Sequence, residues 1–91
     1  MATMSAAHAA LGEAVRQARS TAGYSQERLA EVSGLHRNLI SGIERGERNP
    51  TYSTLLRIAE GLTSSICALV CAAEHSGASE AVRAVISRTA G

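Results

Sequence analysis

Apolar residues recur along this chain at the three- and four-residue intervals of amphipathic helices, without the two-residue alternation of a half-buried strand. Residues typical of helix ends separate the apolar stretches. Gly23 and Gly34 suit left-handed helix ends, and Ser25, Thr51 and Ser65 suit N-caps. The pattern predicts five helices: one over about 9–22, one between Ser25 and Gly34, one ending near residue 45, and two that follow Thr51 and Ser65.

Each predicted helix has one apolar stripe that we expect to face the core. The stripe residues are Leu11, Val15, Ala18 and Ala22; Leu29, Ala30 and Ser33; Ile40 and Ile43; Tyr52, Leu55, Leu56, Ala59 and Leu62; and Ile66, Leu69, Val70 and Ala73. A sixth helix, capped by Ser79 and carrying Val82, Val85 and Ile86, is predicted over 79–89. With 45% apolar residues but only two aromatic ones, the core is expected to consist of packed helices, so the fold class is all-α.

The length of 91 residues is enough for one small domain. We predict a flexible N-terminus over 1–8, an all-α domain over 9–73 and a C-terminal extension over 74–91 that carries the sixth helix. The longest apolar block, 66–73, is too short to cross a membrane, and residues 1–10 lack the basic and apolar regions of a signal peptide. These features predict a cytoplasmic protein without a membrane partner.

The charged residues are more informative in their distribution than in their sum. The net charge is only +1, but all nine basic residues are arginine, and five of them lie between Arg28 and Arg57. A guanidinium group matches the geometry of phosphates and of guanine edges. Ordinary solvated helix faces would account for the charges alone equally well.

The second and third predicted helices are short and joined by a tight turn that contains glycine. Ala30 is small where the two helices must cross, Gly34 allows the positive φ of the turn, and Ile40 and Ile43 face the core. This spacing predicts a helix-turn-helix whose second helix exposes polar residues at its N-terminal end. There, Arg37 could bind guanine and Asn38 adenine through two hydrogen bonds each in the major groove.

From Leu11 to Val70 the chain resembles the Cro/CI-type (XRE-like) helix-turn-helix regulators. The matching stretches are SQERLAEVSGL (25–35), HRNLISGIERGERNP (36–50) and TLLRIAEGL (54–62). The resemblance implies a compact five-helix Cro/CI-like (lambda repressor-like) DNA-binding domain. It also implies a homodimer that binds a palindromic operator in double-stranded DNA.

The resemblance also implies roles for individual residues. It places His36, Arg37, Asn38, Ser41 and Gly42 on the groove-facing side of the third helix, although Gly42 offers no side chain for a base. It assigns the DNA backbone contacts to Gln26, Arg45, Arg48 and Asn49. It pairs Arg19 with Glu44 in a partly buried ion pair, in which Arg19 compensates an anion placed unfavourably at a helix C-terminus. Solvated polar residues and an ordinary charged loop remain the alternatives for the DNA contacts.

The last third of the chain supports a hypothesis of self-association. The predicted dimer surface consists of Leu69, Val70, Val82, Val85 and Ile86, with folding of the sixth helix onto its own domain as the alternative. Cys67, Cys71 and His75 follow one another at four-residue intervals on one strip of the fifth helix. Packing of the cysteines against the sixth helix or a partner is favoured over a redox switch, an intersubunit disulfide or a metal site, because structural zinc sites use a different spacing.

No catalytic set is present: the chain has no aspartate, no phosphate-binding glycine loop and no grouped nucleophile and base. We therefore expect no enzyme activity, no metal and no cofactor. The sequence predicts a transcription regulator, either a repressor or an autoregulatory controller. A protein-interaction module such as an antitoxin-type partner protein and a thiol-based redox-responsive regulator are the alternatives. Phage repressors, restriction–modification controllers and antitoxins are not separated at this level.

Overall fold

The computed structural model describes residues 6–75. Over that range the chain forms five α-helices and no strand: α1 is Ala6–Thr21, α2 is Gln26–Ser33, α3 is Arg37–Glu44, α4 is Tyr52–Gly61 and α5 is Ile66–Glu74. The predicted all-α class is confirmed. The sixth helix predicted over 79–89 lies outside the described residues.

Local side-chain hydrogen bonds explain where these helices begin. Ser25, Thr51 and Ser65 each accept a hydrogen bond from the backbone N–H three residues further on, at 3.0, 3.2 and 3.0 Å. Each bond satisfies a donor that the first helical turn leaves without a partner. The three N-caps predicted from the sequence therefore set the starts of α2, α4 and α5.

The turn between α2 and α3 depends on a left-handed glycine. Gly34 has φ +71°, a conformation that residues with a β-carbon rarely adopt. It allows the chain to reverse direction so that Leu35 N donates to Ala30 O at 3.0 Å. This bond closes the end of α2, and only three residues separate α2 from α3.

The core lies where α1, α2, α3 and α4 meet, and α5 closes it from one side. Among residues 6–75 the five largest side chains that are less than 2% exposed are Val15, Leu29, Ile40, Ile43 and Ile58. Around them α1 packs against α3 and α5, α2 against α3 and α4, and α4 against α5. The faces of α2 and α3 that contact the protein interior are thus mostly aliphatic, and the buried hydroxyl group of Ser33 donates to Leu29 O at 2.6 Å.

Small residues let α1 approach its neighbours closely. A β-carbon at Gly12 would lie 2.2 Å from Ile43 O and 2.7 Å from Glu44 O, so only glycine fits where α1 crosses the end of α3. Ala10, Ala14 and Ala73 form a second buried cluster between α1 and α5. These close contacts fix α3 directly against the longest helix of the domain.

Several predictions are wrong in detail, among them the inward positions of Ala22 and Val70, which are both exposed. α1 begins at Ala6, so residues 6–8, which were expected to be flexible, are helical. In α4 the buried stripe is centred on Ile58, which is 0% exposed and which the predicted stripe omitted. Tyr52 and Leu56, predicted to face inward, are 72% and 39% exposed because α4 is rotated to place Ile58 against the core.

Between residues 6 and 75 no single helix is long and apolar enough to cross a membrane. α4 and α5 reach the required length and composition only when taken together, and they meet at a bend of 99°. Their buried residues, including Ile58 and Leu69, contact the helical core.

Arg19 and Glu44 form a two-point ion pair between the ends of α1 and α3. Arg19 Nε donates to Glu44 Oε2 at 2.7 Å, and Arg19 Nη2 donates to Glu44 Oε1 at 3.1 Å. Only 16% of the arginine side chain and 4% of the glutamate side chain are exposed. The glutamate carboxylate raises the pKa of Arg19 through these hydrogen bonds.

Two further hydrogen bonds connect this pair to the α1–α2 loop and to α2. Arg19 Nη1 donates to Tyr24 O at 2.8 Å, and Gln26 Nε2 donates to Glu44 Oε1 at 3.0 Å. We call Arg19, Gln26 and Glu44 the Arg19 cluster. The cluster joins the end of α1, the start of α2 and the end of α3.

We expect Arg19→Ala to lower the free energy of unfolding by about 3–5 kcal/mol, because it leaves the Glu44 carboxylate buried without its cation. Urea unfolding followed by circular dichroism measures this loss. Arg16→Ala is the control, since Arg16 pairs with Glu13 on the exposed side of the same helix and should change stability little. Equal losses for the two variants would contradict a stabilising role of the buried pair.

Candidate nucleic-acid interface

α3 has one face in the core and one face in solvent. Ile40 and Ile43 are 0% and 1% exposed, whereas His36, Arg37 and Asn38 are all exposed at the start of the helix. The apolar residues hold α3 in place, and the polar residues are left at the surface. Three of the residues predicted to contact bases therefore lie at an accessible end of α3.

His36 has a structural role at that end. It is the N-cap of α3, and its Nδ1 accepts a hydrogen bond from Asn38 N at 3.1 Å. The ring is thereby oriented beside the first turn. The neighbouring Asn38 contributes its backbone N–H to this cap while its side chain remains exposed.

Arg37 is paired with a carboxylate of α2. Its Nε lies 3.0 Å from Glu27 Oε2, and the two side chains are 52% and 67% exposed. Ion pairs this exposed contribute only about 0.2–1 kcal/mol. A base or a phosphate can therefore replace Glu27 as the partner of Arg37 at little cost.

Ser41 and Arg45 contact each other one turn apart on α3. Arg45 Nη1 donates to Ser41 Oγ, and Arg45 Nε donates to Glu47 Oε1 at 3.0 Å. Ser41 is half-buried and Arg45 is exposed. The structure thus brings a predicted base-contacting residue and a predicted backbone-contacting residue together.

Gln26 lies at the first position of α2, but its side chain faces the Arg19 cluster. It is half-buried, with its amide nitrogen bonded to Glu44. A DNA contact through this side chain would use the second N–H of the amide. The start of α2 also provides the positive end of a helix dipole.

The loop after α3 folds back over Gly42. Glu47 N and Arg48 N donate to Gly42 O at 2.8 and 3.2 Å, and Gly46 has φ +75°. Gly42 is buried, so it does not belong to the exposed face on which the resemblance placed it. Arg48 and Asn49 are exposed in the loop itself.

The part of the chain that forms these helices matches a known protein family. Residues 15–69, more than half of the chain, match the family model HTH_3, described as helix-turn-helix. The chain belongs to this XRE-type helix-turn-helix family. It is therefore a transcription regulator with a DNA-binding helix-turn-helix, as its sequence predicted.

Several named proteins resemble this helix-turn-helix regulator. Control protein C.SmaI of Serratia marcescens is 52% identical over 56 residues, which are 62% of this chain and 67% of that protein. The restriction-modification controller protein C.AhdI of Aeromonas hydrophila superimposes with a TM-score of 0.67 and 37% identity, covering 68% of this chain and 94% of that one. The clp gene regulator ClgR of Corynebacterium glutamicum gives a TM-score of 0.76 at 28% identity, over 91% and 88% of the two chains.

In this regulator one residue of the predicted dimer surface on α5 is buried within its own chain. Leu69 is 2% exposed and packs in the core of its own chain, so it is not available to a partner. Val70 is 38% exposed. Val82, Val85 and Ile86 lie outside the described residues.

The two cysteines are exposed free thiols, rather than packed within the described part of the chain. Cys71 Sγ lies 3.7 Å from His75 Nδ1, which is also 2.8 Å from Cys71 O. Among residues 6–75 no three histidine, cysteine or glutamate side chains are grouped closely enough to hold a metal ion.

Sequence reasoning missed two contacts made by α3, that of Glu27 with Arg37 and that of Gly42 with the following loop. Glu27 was not assigned a role, although its position next to Gln26 at the start of α2 places it beside the exposed end of α3. Gly42 was placed on the groove-facing side of α3, as a position that offers no side chain for a base. Its contact with the loop was not predictable from helical spacing, because it depends on how residues 46–48 fold back.

We expect Glu27→Gln to raise the affinity for random-sequence duplex DNA about two- to fivefold at about 0.15 M salt, because it removes an anion that lies beside the exposed start of α3. Fluorescence anisotropy with a labelled duplex measures the change. Glu31→Gln is the matched control: Glu31 is on the same helix and 71% exposed, but pairs with Arg28. An equal gain in both variants would show an effect of net charge alone.

Proposed function

We propose that this chain is a sequence-specific regulator of transcription, a repressor or autoregulatory controller, that binds a palindromic operator in double-stranded DNA as a homodimer. One observation supports this above all: Arg37 and Asn38 stand side by side and exposed at the start of α3, while Ile40 and Ile43 fix the same helix in the core. A rigidly held helix with two adjacent side chains able to form paired hydrogen bonds fits the major groove.

The base contacts in this proposal come from the exposed face of α3. Arg37 exchanges Glu27 for the O6 and N7 atoms of a guanine, and Asn38 binds N6 and N7 of an adenine. His36 lies beside them as the N-cap, and Ser41 contributes its hydroxyl group after Arg45 turns towards the DNA. These four residues determine the operator sequence.

The backbone contacts come from the two sides of α3. Arg45, Arg48 and Asn49 bind phosphates at the end of the helix and in the following loop. Gln26 binds a phosphate at the start of α2, where the helix dipole favours an anion. These contacts supply affinity and orientation but little sequence preference.

Self-association in this proposal uses the exposed side of α5. Val70 lies there, and the apolar residues Val82, Val85 and Ile86 of the extension complete the surface. The resemblance to control proteins such as C.SmaI supports an autoregulatory controller, in which the amount of the protein determines operator occupancy. A dimer of two equivalent helices α3 requires an operator with two-fold symmetry.

Selection of bound sequences from a random duplex pool at about 0.15 M salt tests this function. We expect a palindromic motif with half-sites about one helical turn apart, and loss of preference at one base pair of each half-site for Arg37→Ala. Selection of no motif would contradict sequence-specific binding. That result would instead favour a module that acts through a protein partner.

We expect Arg37→Ala and Arg48→Ala to weaken binding in different ways. Arg37→Ala should cost about 1–3 kcal/mol on the selected operator and little on random DNA. Arg48→Ala should weaken binding to all sequences and reduce the salt slope by about one unit. Titrations of both duplexes over a range of salt concentrations measure this, and identical behaviour of the two variants would contradict the assigned roles.

We expect Val70→Glu to raise the dimer dissociation constant by at least about tenfold, because it places a charge in an apolar contact. Sedimentation equilibrium at micromolar concentration measures the change. Leu56→Glu is the control, since Leu56 is equally exposed but lies on α4. A monomeric wild-type protein, or dissociation by Leu56→Glu alone, would contradict the proposed surface.

A further inference from the structure

The side chain of Arg48 occupies the space that a side chain at position 42 would need. A β-carbon built on Gly42 would lie 2.4 Å from Arg48 Cγ, 3.5 Å from Arg48 Cβ and 3.6 Å from Arg48 Cδ. The three nearest atoms thus all belong to one side chain. The aliphatic part of Arg48 lies next to the backbone of α3 at Gly42, which is buried.

The backbone of the loop fixes the starting point of that side chain. Gly42 O accepts hydrogen bonds from both Glu47 N and Arg48 N. The left-handed Gly46 gives the loop the bend that these two bonds require. The Cα of Arg48 is therefore held beside Gly42, whatever the conformation of its side chain.

The fold itself does not require glycine at this position. At Gly12 a β-carbon would meet the backbone oxygens of Ile43 and Glu44, which cannot move without shifting α3. At Gly42 the three nearest atoms belong to the side chain of Arg48, which can rotate, and Gly42 has no positive φ. A glycine inside a helix is less favourable than alanine, so its presence in α3 needs another explanation.

We propose that Gly42 is a positioning residue for Arg48. The missing side chain lets the Arg48 stem lie along the C-terminal half of α3, which restricts the positions open to its guanidinium group before DNA binds. This inference rests on the proposed function, in which Arg48 binds a DNA phosphate. Holding a long side chain in place reduces the conformational entropy that binding would otherwise cost.

A double-mutant cycle with Gly42→Ala, Arg48→Ala and the combined variant tests this coupling. On the selected operator we expect each single variant to bind about tenfold more weakly, and the double variant to bind no more weakly than Arg48→Ala, because both changes remove the same contact. Wild-type affinity for Gly42→Ala would overturn the proposal. So would losses that multiply in the double variant, since they would show that the two residues act independently.

Thermal unfolding separates positioning from a structural role. We expect Gly42→Ala to melt no lower than the wild type, and in the Arg48→Ala background to melt a few degrees higher, since alanine favours the helix. Gly12→Ala is the control and should melt well below the wild type. A loss for Gly42→Ala as large as that for Gly12→Ala would overturn the proposal.

A measurement on the free protein tests the contact without DNA. In the labelled wild-type chain we expect nuclear Overhauser effects between the α-protons of Gly42 and the side-chain protons of Arg48. Their absence would overturn the inference whatever the result with DNA. If they are present but the wild type selects no DNA sequence, the proposed function fails while the contact between the two residues stands.

Discussion

The position of α3 depends on a charge pair that is almost removed from water. Arg19 holds Glu44 at two points, and Gln26 adds a third hydrogen bond to the same carboxylate. The carboxylate stands at the C-terminal end of α3, where the helix dipole disfavours an anion. Because its cation comes from α1 and its amide donor from α2, the cluster fixes α3 relative to both helices. The close crossing at Gly12 completes this constraint through the backbone.

Local signals in the sequence were sufficient for most helix boundaries. Ser25, Thr51 and Ser65 form the N-caps that their residue types suggest, and Gly34 adopts the left-handed conformation that its place in the turn requires. The rotation of α4 was not predictable in this way. Its apolar residues are compatible with two overlapping stripes, one through Tyr52 and one through Ile58. Only packing against the other helices selects the second.

The same distinction between local signals and contacts between elements applies to the candidate nucleic-acid interface. The exposure of Arg37 and Asn38 follows from burial of Ile40 and Ile43, which helical spacing alone predicts. The contacts of Glu27 with Arg37 and of Arg48 with Gly42 join different elements of the chain. They depend on the crossing of α2 with α3 and on the path of the loop, so no periodicity in the sequence indicates them. For the same reason Gln26 could be placed at a helix start but not assigned to the Arg19 cluster.

The core and the Arg19 cluster hold α3 through its middle and its C-terminal end, while its first residues contribute no side chain to the interior. Replacements at positions 37 and 38 are therefore nearly free of cost to folding. If these two residues contact bases, as proposed above, gene duplicates of such a domain can diverge in them and acquire separate target sites while the fold stays intact. The architecture thus allows several related regulators to operate side by side in one cell without interfering with each other's genes.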